Sequence, residues 1–121
     1  EVQSALIAKN IPGLSYRIIK TQTTAGAPIE GVYVSVRDWQ KARPTEISFH
    51  MMQITAAWES GNPFQSVKNP ALFNKHVGSS AWWDEINQRG DQARVTAFVQ
   101  QWSQQAANFQ RQAKRFWIYQ P

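Results

Sequence analysis

The chain has 121 residues, and its content of 42% hydrophobic and 17% charged residues is typical of a globular protein. It contains no cysteine, which excludes disulfides, cysteine-ligated zinc and thiol chemistry. Its net charge of +5 is compatible with an anionic partner. The basic residues are scattered and form no long run, however, so the charge also fits an ordinary solvated surface.

The hydropathy and the ends of the chain bear on its origin. No apolar run approaches the ~20 residues that a helix needs to cross a bilayer, so we expect no membrane span within this fragment. The chain begins with Glu1 and stops at Pro121, just after an aromatic cluster. We therefore predict a single domain over residues 1–121, excised from a larger or processed protein. A chain without cysteine is tolerated in reducing and oxidising compartments alike, so no compartment is assigned.

Two strand-like segments occupy the first third of the chain. Residues 14–24 are rich in β-branched side chains, and residues 31–39 alternate, with Val32, Val34 and Val36 on one face. The connection between the two segments is too short for a crossover helix, which predicts an antiparallel hairpin. A two-stranded hairpin is marginal by itself, so its valine face needs cover. The long C-terminal helix is the element expected to provide it.

Two short segments are predicted to be helical from their spacing and their ends. Residues 1–10 carry apolar side chains at helical spacing and stop before a Pro-Gly turn. Residues 81–89 follow two serines that can cap a helix, Ser79 and Ser80, and stop before a glycine. Residues 62–79 contain prolines and asparagines and indicate an irregular connection. Its length suggests either a functional role or an unrecognised short element.

The segment from residue 45 to residue 60 fits two kinds of secondary structure. As a helix, it places Ile47, Met51 and Ile54 on one stripe. As a strand, it alternates Ile47, Phe49 and Met51, but the alternation breaks at the next residue. The helix is favoured, and the strand remains an open alternative.

The longest regular segment runs from Asp91 to Tyr119 and contains no glycine or proline. Its apolar side chains recur at alternating intervals of four and three residues, which predicts one helix about 40 Å long with a single seam. The seam consists of Val95, Val99, Trp102, Ala106, Phe109, Ala113 and Phe116. We expect Asp91 to cap the helix and the seam to cover the domain's own hairpin and helices.

These segments together predict an α+β fold. We expect an antiparallel β-hairpin or small sheet packed against a long C-terminal amphipathic helix, with two or three shorter helices.

The sequence contains no motif for metal, nucleotide or covalent chemistry. His50 and His76 lie on different segments and belong to no His-x-x-x-His pattern. None of the six glycines forms a phosphate-binding loop, and Gly-x-Ser-x-Gly is missing. We therefore predict no metal and no cofactor, and the preferred interpretation assigns no catalytic residue.

One short segment favours a different class of function. Residues 58–63, Trp-Glu-Ser-Gly-Asn-Pro, resemble the Glu-Ser helix end of lytic transglycosylases. The resemblance implies a glycan-cleaving enzyme with Glu59 as general acid. It covers six residues, and the Gly-Leu-Met-Gln segment of that family is missing here. A glutamate at a helix end before Ser-Gly is also ordinary helix-terminating sequence, so this interpretation ranks third.

The preferred interpretation is a non-catalytic accessory or protein-interaction domain of a larger protein or assembly. Its partner is expected to be another protein or another domain of the parent chain. Adjacent helix positions cannot both point into one core, which marks Trp82 and Trp83 as a candidate anchor. The basic, aromatic C-terminal end completes the set of partner-binding candidates, which are Trp82, Trp83, Arg111, Lys114, Arg115, Trp117 and Tyr119.

A basic nucleic-acid-binding domain is the alternative. At the C-terminal end, aromatic rings could stack on bases while neighbouring cations meet phosphates. A second arrangement would use cations of the hairpin and the following loop as an anion-binding ribbon. These cations are Arg17, Lys20, Arg37, Lys41 and Arg43. Neither arrangement contains a recognisable nucleic-acid motif.

Overall fold

A computed structural model of the chain describes residues 1–58 and 61–118. Its sheet is an antiparallel hairpin of β1, Leu14–Gln22, and β2, Pro28–Val36. Val32 pairs with Ile18 and Val34 pairs with Tyr16, so these four side chains share one face. The predicted hairpin and its valine face are confirmed.

The hairpin is attached to the following loop through Gly13. This residue has a backbone φ of +73°, a conformation that residues with a Cβ rarely adopt. A Cβ at this position would lie 2.6 Å from the carbonyl oxygen of Asp38 and 2.8 Å from the amide nitrogen of Ala42. The carbonyl of Gly13 in turn accepts hydrogen bonds from the amides of Arg37 and Asp38. The start of β1 is thereby tied to the end of β2 without space for a side chain.

The described residues also form five α-helices. They are α1, Val2–Ala8; α2, Pro44–Ala56; α3, Ala71–Val77; α4, Ser80–Arg89; and α5, Val95–Ala113. The segment that fitted both helix and strand is thus a helix. Pro44 in its first turn lacks an N–H that the helix could not use there, which favours a helix start.

The predicted irregular connection contains two short elements. Asn62 caps a 3₁₀ turn, Pro63–Ser66, by accepting a hydrogen bond from the amide of Phe64. Helix α3 follows and ends at Gly78, which has the left-handed conformation typical of a helix C-terminus. For α4, the serine that caps the helix is Ser79, whose hydroxyl accepts from the amide of Trp82.

The core lies around α2. Phe49 contacts Trp82 of α4 and Phe98 and Trp102 of α5, with ring centroids 4.7, 5.4 and 5.2 Å apart. These edge-to-face contacts suit the charge distribution of aromatic rings. Ile86 of α4 is fully buried in the same cluster. Helix α2, and not the long C-terminal helix, is therefore the element around which the others assemble.

The α+β arrangement with a hairpin and a long C-terminal helix is confirmed. The hairpin makes its main helix contact with α1, and α5 makes its main helix contact with α2. Gln3 of α1 donates a hydrogen bond to the carbonyl of Tyr16 in β1 at 3.1 Å. Much of the valine face is therefore separated from α1 and α2 by an open cleft.

The long helix differs from the prediction at both ends. It has 19 residues, or about 28 Å at the usual helical rise, and a 3₁₀ turn follows it. Asp91 lies in a separate 3₁₀ turn, Gly90–Gln92, and does not cap the helix. The residue before the helix is Arg94, whose amide donates to a carboxylate oxygen of Glu85 at 2.8 Å. A carboxylate from α4 thus satisfies a free N–H at the start of α5.

Within the described residues, no helix combines the length and the hydropathy that a membrane span requires.

Candidate interaction surfaces

The two halves of α5 lie in different environments. Val95 and Phe98 are buried against α2 and α4, and Trp102 is partly buried. From Ser103 onward almost every residue of the helix is exposed. The expectation that the whole seam covers the domain's own elements is therefore wrong for its second half.

The exposed half of the seam forms a surface that we call the apolar stripe. It consists of Ala106, Phe109, Ala113 and Phe116. Phe109 is 72% exposed and Phe116 is 71% exposed. Single exposed apolar side chains are common on folded chains, but several of them grouped on one exposed surface are typical of a contact surface.

The predicted basic, aromatic end of the chain lies next to the apolar stripe. Trp117 and Ile118 are exposed, and so are Arg111, Lys114 and Arg115. The guanidinium of Arg115 lies 4.7 Å from the centre of the Phe116 ring. Arg111 follows Phe109 by two residues and so projects from the opposite side of the helix. Of the predicted C-terminal candidates, Tyr119 lies outside the described residues.

The two adjacent tryptophans have separate roles. Trp82 is 0% exposed, and its indole N–H points to the sulfur of Met52 at 3.2 Å. It is a core residue and cannot be an exposed anchor, which corrects the prediction. Trp83 is partly buried and contacts Phe73 of α3 at 4.9 Å between ring centroids. The two indoles thus lie in different environments, as predicted, but the Trp83 ring packs on α3 and is not a free anchor.

The five cations predicted as an anion-binding ribbon are all exposed. Most of them already contact their own chain. The Arg17 guanidinium lies 4.6 Å from the Tyr33 ring centre, and Lys20 pairs with Glu30 at 3.7 Å. Arg17 and Lys20 also lie on opposite faces of β1, because they are three residues apart on a strand.

In the loop after β2, Lys41 pairs with Asp38 at 3.3 Å, and Arg37 donates to the hydroxyl of Ser15 at 2.9 Å. Arg43 precedes α2. The described residues thus split this set between two faces and a loop, and no continuous basic ribbon results.

A cleft of about 600 Å³ lies between α1, the hairpin and α2, and the sequence did not identify it. We call it the hairpin cleft. Aliphatic side chains dominate its walls, with Glu1, Gln3, Glu30 and Ser48 as polar members. The aliphatic members are Val2, Leu6, Ile18, Val32, Val34, Ile47 and Met51. Its size and mostly apolar lining are those of a site that binds another molecule or chain segment.

The sequence contained a signal for this cleft. The valine face of the hairpin required cover, and the helices that flank it leave part of it open. Ile18 of β1 is 44% exposed within the cleft. On the opposite face of the same sheet, Ile29 of β2 is similarly exposed, at 47%.

A buried polar group lies between β1 and α2, near the hairpin cleft. The Tyr16 hydroxyl is buried and has no hydrogen-bond partner among the described residues, and burial together with the Glu46 carboxylate raises its pKa. His50 Nε2 lies 3.8 Å from a carboxylate oxygen of Glu46, and burial lowers the pKa of this histidine. Lys9 approaches from α1 and donates to the side chain of Gln53 at 2.8 Å. These contacts connect α1, β1 and α2.

The remaining possibilities from the sequence are a metal site and a glycan-cleaving site. No three potential metal ligands come together in this part of the chain. Glu59, the predicted general acid of the glycan-cleaving interpretation, lies outside the described residues. Trp58, which precedes it, is exposed beside a smaller cleft of about 360 Å³ between α1 and α2.

The family model for the C-terminal part of the exo-beta-N-acetylmuramidase NamZ matches residues 1–119. The match covers nearly the whole chain. The chain belongs to this family. No curated protein matches the chain.

A crystal structure of a DUF1343 family protein from Bacteroides fragilis has a similar fold, with a TM-score of 0.71 and 24% sequence identity. The similarity covers 98% of this chain but only 32% of that protein, so the chain spans about a third of its length. At this identity the comparison supports the fold alone.

Proposed function

We propose that this chain is a non-catalytic accessory domain of a larger protein and that it binds another domain of its parent chain. The family to which it belongs is named as the C-terminal part of an exo-beta-N-acetylmuramidase. The structurally similar protein is about three times as long as the matched region. Both facts support a parent chain in which another region precedes residue 1.

The hairpin cleft is the observation that carries this proposal. A two-stranded sheet gains little stability alone and depends on what covers its apolar face. Here Ile18 and Val34 remain partly exposed on that face, in a cleft of about 600 Å³ with aliphatic walls. An apolar element of another domain would remove these side chains from water, which favours association by roughly 25 cal/mol per Å² buried.

The parent protein is proposed to cleave glycans, because the family carries the name of a muramidase. In this proposal the accessory domain supports the enzyme by docking and supplies no reacting group. The alternative in which Glu59 is a general acid stays a prediction. Muramidase activity that survives Glu59→Gln in the full parent chain would remove it.

The nucleic-acid alternative has no support in the family match. The described cations also form no continuous ribbon.

The test compares two isoleucines on opposite faces of the same sheet. In the full parent chain, Ile18→Glu places a carboxylate inside the hairpin cleft, whereas Ile29→Glu places one on the other face. Their exposures of 44% and 47% make them a matched pair. We expect Ile18→Glu to separate the unfolding of this domain from that of the remaining chain in calorimetry and to lower muramidase activity. Ile29→Glu should do neither.

Equal effects of the two substitutions would mean that the cleft face is not special. No effect of Ile18→Glu on either measurement would contradict docking through the cleft.

A further inference from the structure

The apolar stripe is the second surface that this fold leaves open. Its side chains continue the seam of α5 beyond the core, where no described element covers them. Phe109 lies in the last turns of α5, and Phe116 lies seven residues further along, at the end of the 3₁₀ turn that follows the helix. Between and beside them are Ala106 and Ala113, which leave room for a neighbouring backbone or side chain.

This alternation of large and small side chains suits a packed protein contact. A ring that projects from a helix fits a groove, and an alanine beside it allows the partner to approach closely. In the buried half of the same helix, the large side chains have apolar partners, because Phe98 and Trp102 pack on Phe49 of α2. The exposed half therefore calls for a similar apolar partner.

The charge around the apolar stripe restricts the partner further. Residues 92–118 contain Arg94, Arg111, Lys114 and Arg115 but no aspartate or glutamate. Within residues 1–58 and 61–118, a carboxylate partner is seen for Arg94, in Glu85 at 3.0 Å, and for none of the other three. An apolar groove with carboxylates at its rim would bury the phenylalanines and also neutralise Lys114 and Arg115, which directly precede Phe116.

We propose that the apolar stripe docks into an apolar, acid-rimmed groove on the region of the same polypeptide that precedes residue 1. This inference rests on the proposed function and identifies a contact surface separate from the hairpin cleft. The length of the structurally similar protein, of which this chain matches 32%, supplies a region large enough to contain such a groove.

Two other partners fit the surface less well. In a second copy of the chain, pairing of the two stripes would bring cations against cations without a compensating acid. For a membrane surface, amphipathic helices usually carry many cations on the polar face. The polar face here is rich in glutamine, and the alanines narrow the apolar face.

Trypsin offers a direct test, because its cleavage sites Arg111, Lys114 and Arg115 lie beside the apolar stripe. Proteases cut a helix when it opens locally, and a docked helix opens rarely. In the native full parent chain we expect slow cleavage at these sites, and at least tenfold faster cleavage after Phe109→Glu. Phe109→Gln should also accelerate cleavage, which separates loss of the ring from the added charge.

The matched control is Gln104→Glu, which introduces the same carboxylate on the far side of α5. It should leave the cleavage rate unchanged. Because Phe109 is 72% exposed, its substitution is not expected to disturb the fold of residues 1–103. An unchanged cleavage rate in Phe109→Glu, or equal acceleration in Gln104→Glu, would overturn the proposal.

Three further outcomes would also overturn it. One is a dimer in light scattering that Phe109→Glu dissociates, which would assign the stripe to a second copy. Another is sedimentation with phosphatidylglycerol vesicles that the same substitution abolishes, which would assign it to a lipid surface. The last is that Ile18→Glu separates the unfolding of the two domains in calorimetry while Phe109→Glu leaves the rate of tryptic cleavage unchanged. That result would support the proposed function and contradict docking through the apolar stripe.

Discussion

The first and second halves of α5 share one heptad pattern and differ in what surrounds them. Phe98 packs against Trp82 at 5.1 Å and against Phe49 at 5.4 Å, and it is buried. Phe109, eleven residues further along the same face of α5, is 72% exposed. Periodicity reports which side of a helix is apolar, but the rest of the chain decides whether that side is covered.

This difference separates two uses of one sequence pattern. The first half of the seam stabilises the fold through α2 and α4. We assign the second half to a contact with another region of the protein.

Truncating the two phenylalanines should give very different losses of stability. Phe98→Ala removes a ring from the centre of the aromatic cluster and should lower the free energy of unfolding by about 3–5 kcal/mol. Phe109→Ala in the same 121-residue chain should change it by no more than about 0.5 kcal/mol, because that ring is exposed. Urea unfolding measures both values. Similar losses at the two positions would mean that the apolar stripe is already covered within this chain.

The sequence predicted the local elements better than their assembly. The alternation of Val32 and Val34 correctly identified the paired face of the hairpin, because strand periodicity depends only on neighbours along the chain. The pair of serines at 79 and 80 likewise indicated the start of α4, and the structure shows that Ser79 is the cap. The cover of the valine face was not predictable in this way, since it depends on where α1 and α2 pack.

The candidate sites show the same division. Adjacent Trp82 and Trp83 cannot share one environment, but the sequence could not say which of them enters the core. The exposed end of α5 was predicted as a contact surface from its composition. Its apolar stripe was assigned to the core, because the heptad pattern does not change where the core ends.

The next prediction concerns His50 of α2 and the dependence of the free energy of unfolding on pH. Burial lowers the pKa of His50 from its ordinary value of 6.5, while Glu46, Lys9 and Gln53 lie around it. The unfolded chain therefore binds a proton at a pH at which the folded chain does not. We expect stability to decrease as the pH falls below about 6.5, until the lower folded pKa is reached.

The substitution His50→Gln should remove this dependence on pH. His76 lies exposed on α3, and His76→Gln serves as the control that retains it. A slope in stability that persists unchanged in His50→Gln would contradict the burial of a neutral histidine.

The smallest expected effect concerns the start of the buried half of α5. Arg94 donates three hydrogen bonds to the Glu85 carboxylate, from its amide, Nε and Nη2, and these contacts lower the pKa of Glu85. The stabilisation is present above the ordinary pKa of 4.5 and is lost as the pH falls through the lower folded value. Glu85→Gln should reduce stability slightly at neutral pH and weaken its dependence on pH in this acidic range.

Helical content should be retained in Glu85→Gln, because the aromatic cluster still holds α5. Circular dichroism provides that control. Loss of most of the helix signal would mean that Glu85 organises the start of α5 more strongly than its contacts suggest.

Our assignment is that the first half of α5 stabilises the fold and that its second half docks on another region of the protein. Hydrogen exchange of the full parent chain tests it most directly, by comparing amides of residues 95–102 with those of residues 103–113. We predict strong protection in both segments of the intact protein, with Phe109→Glu lowering protection only in the second. Rapid exchange of residues 103–113 in the unmodified protein would contradict the claim, because an uncovered helix end opens frequently.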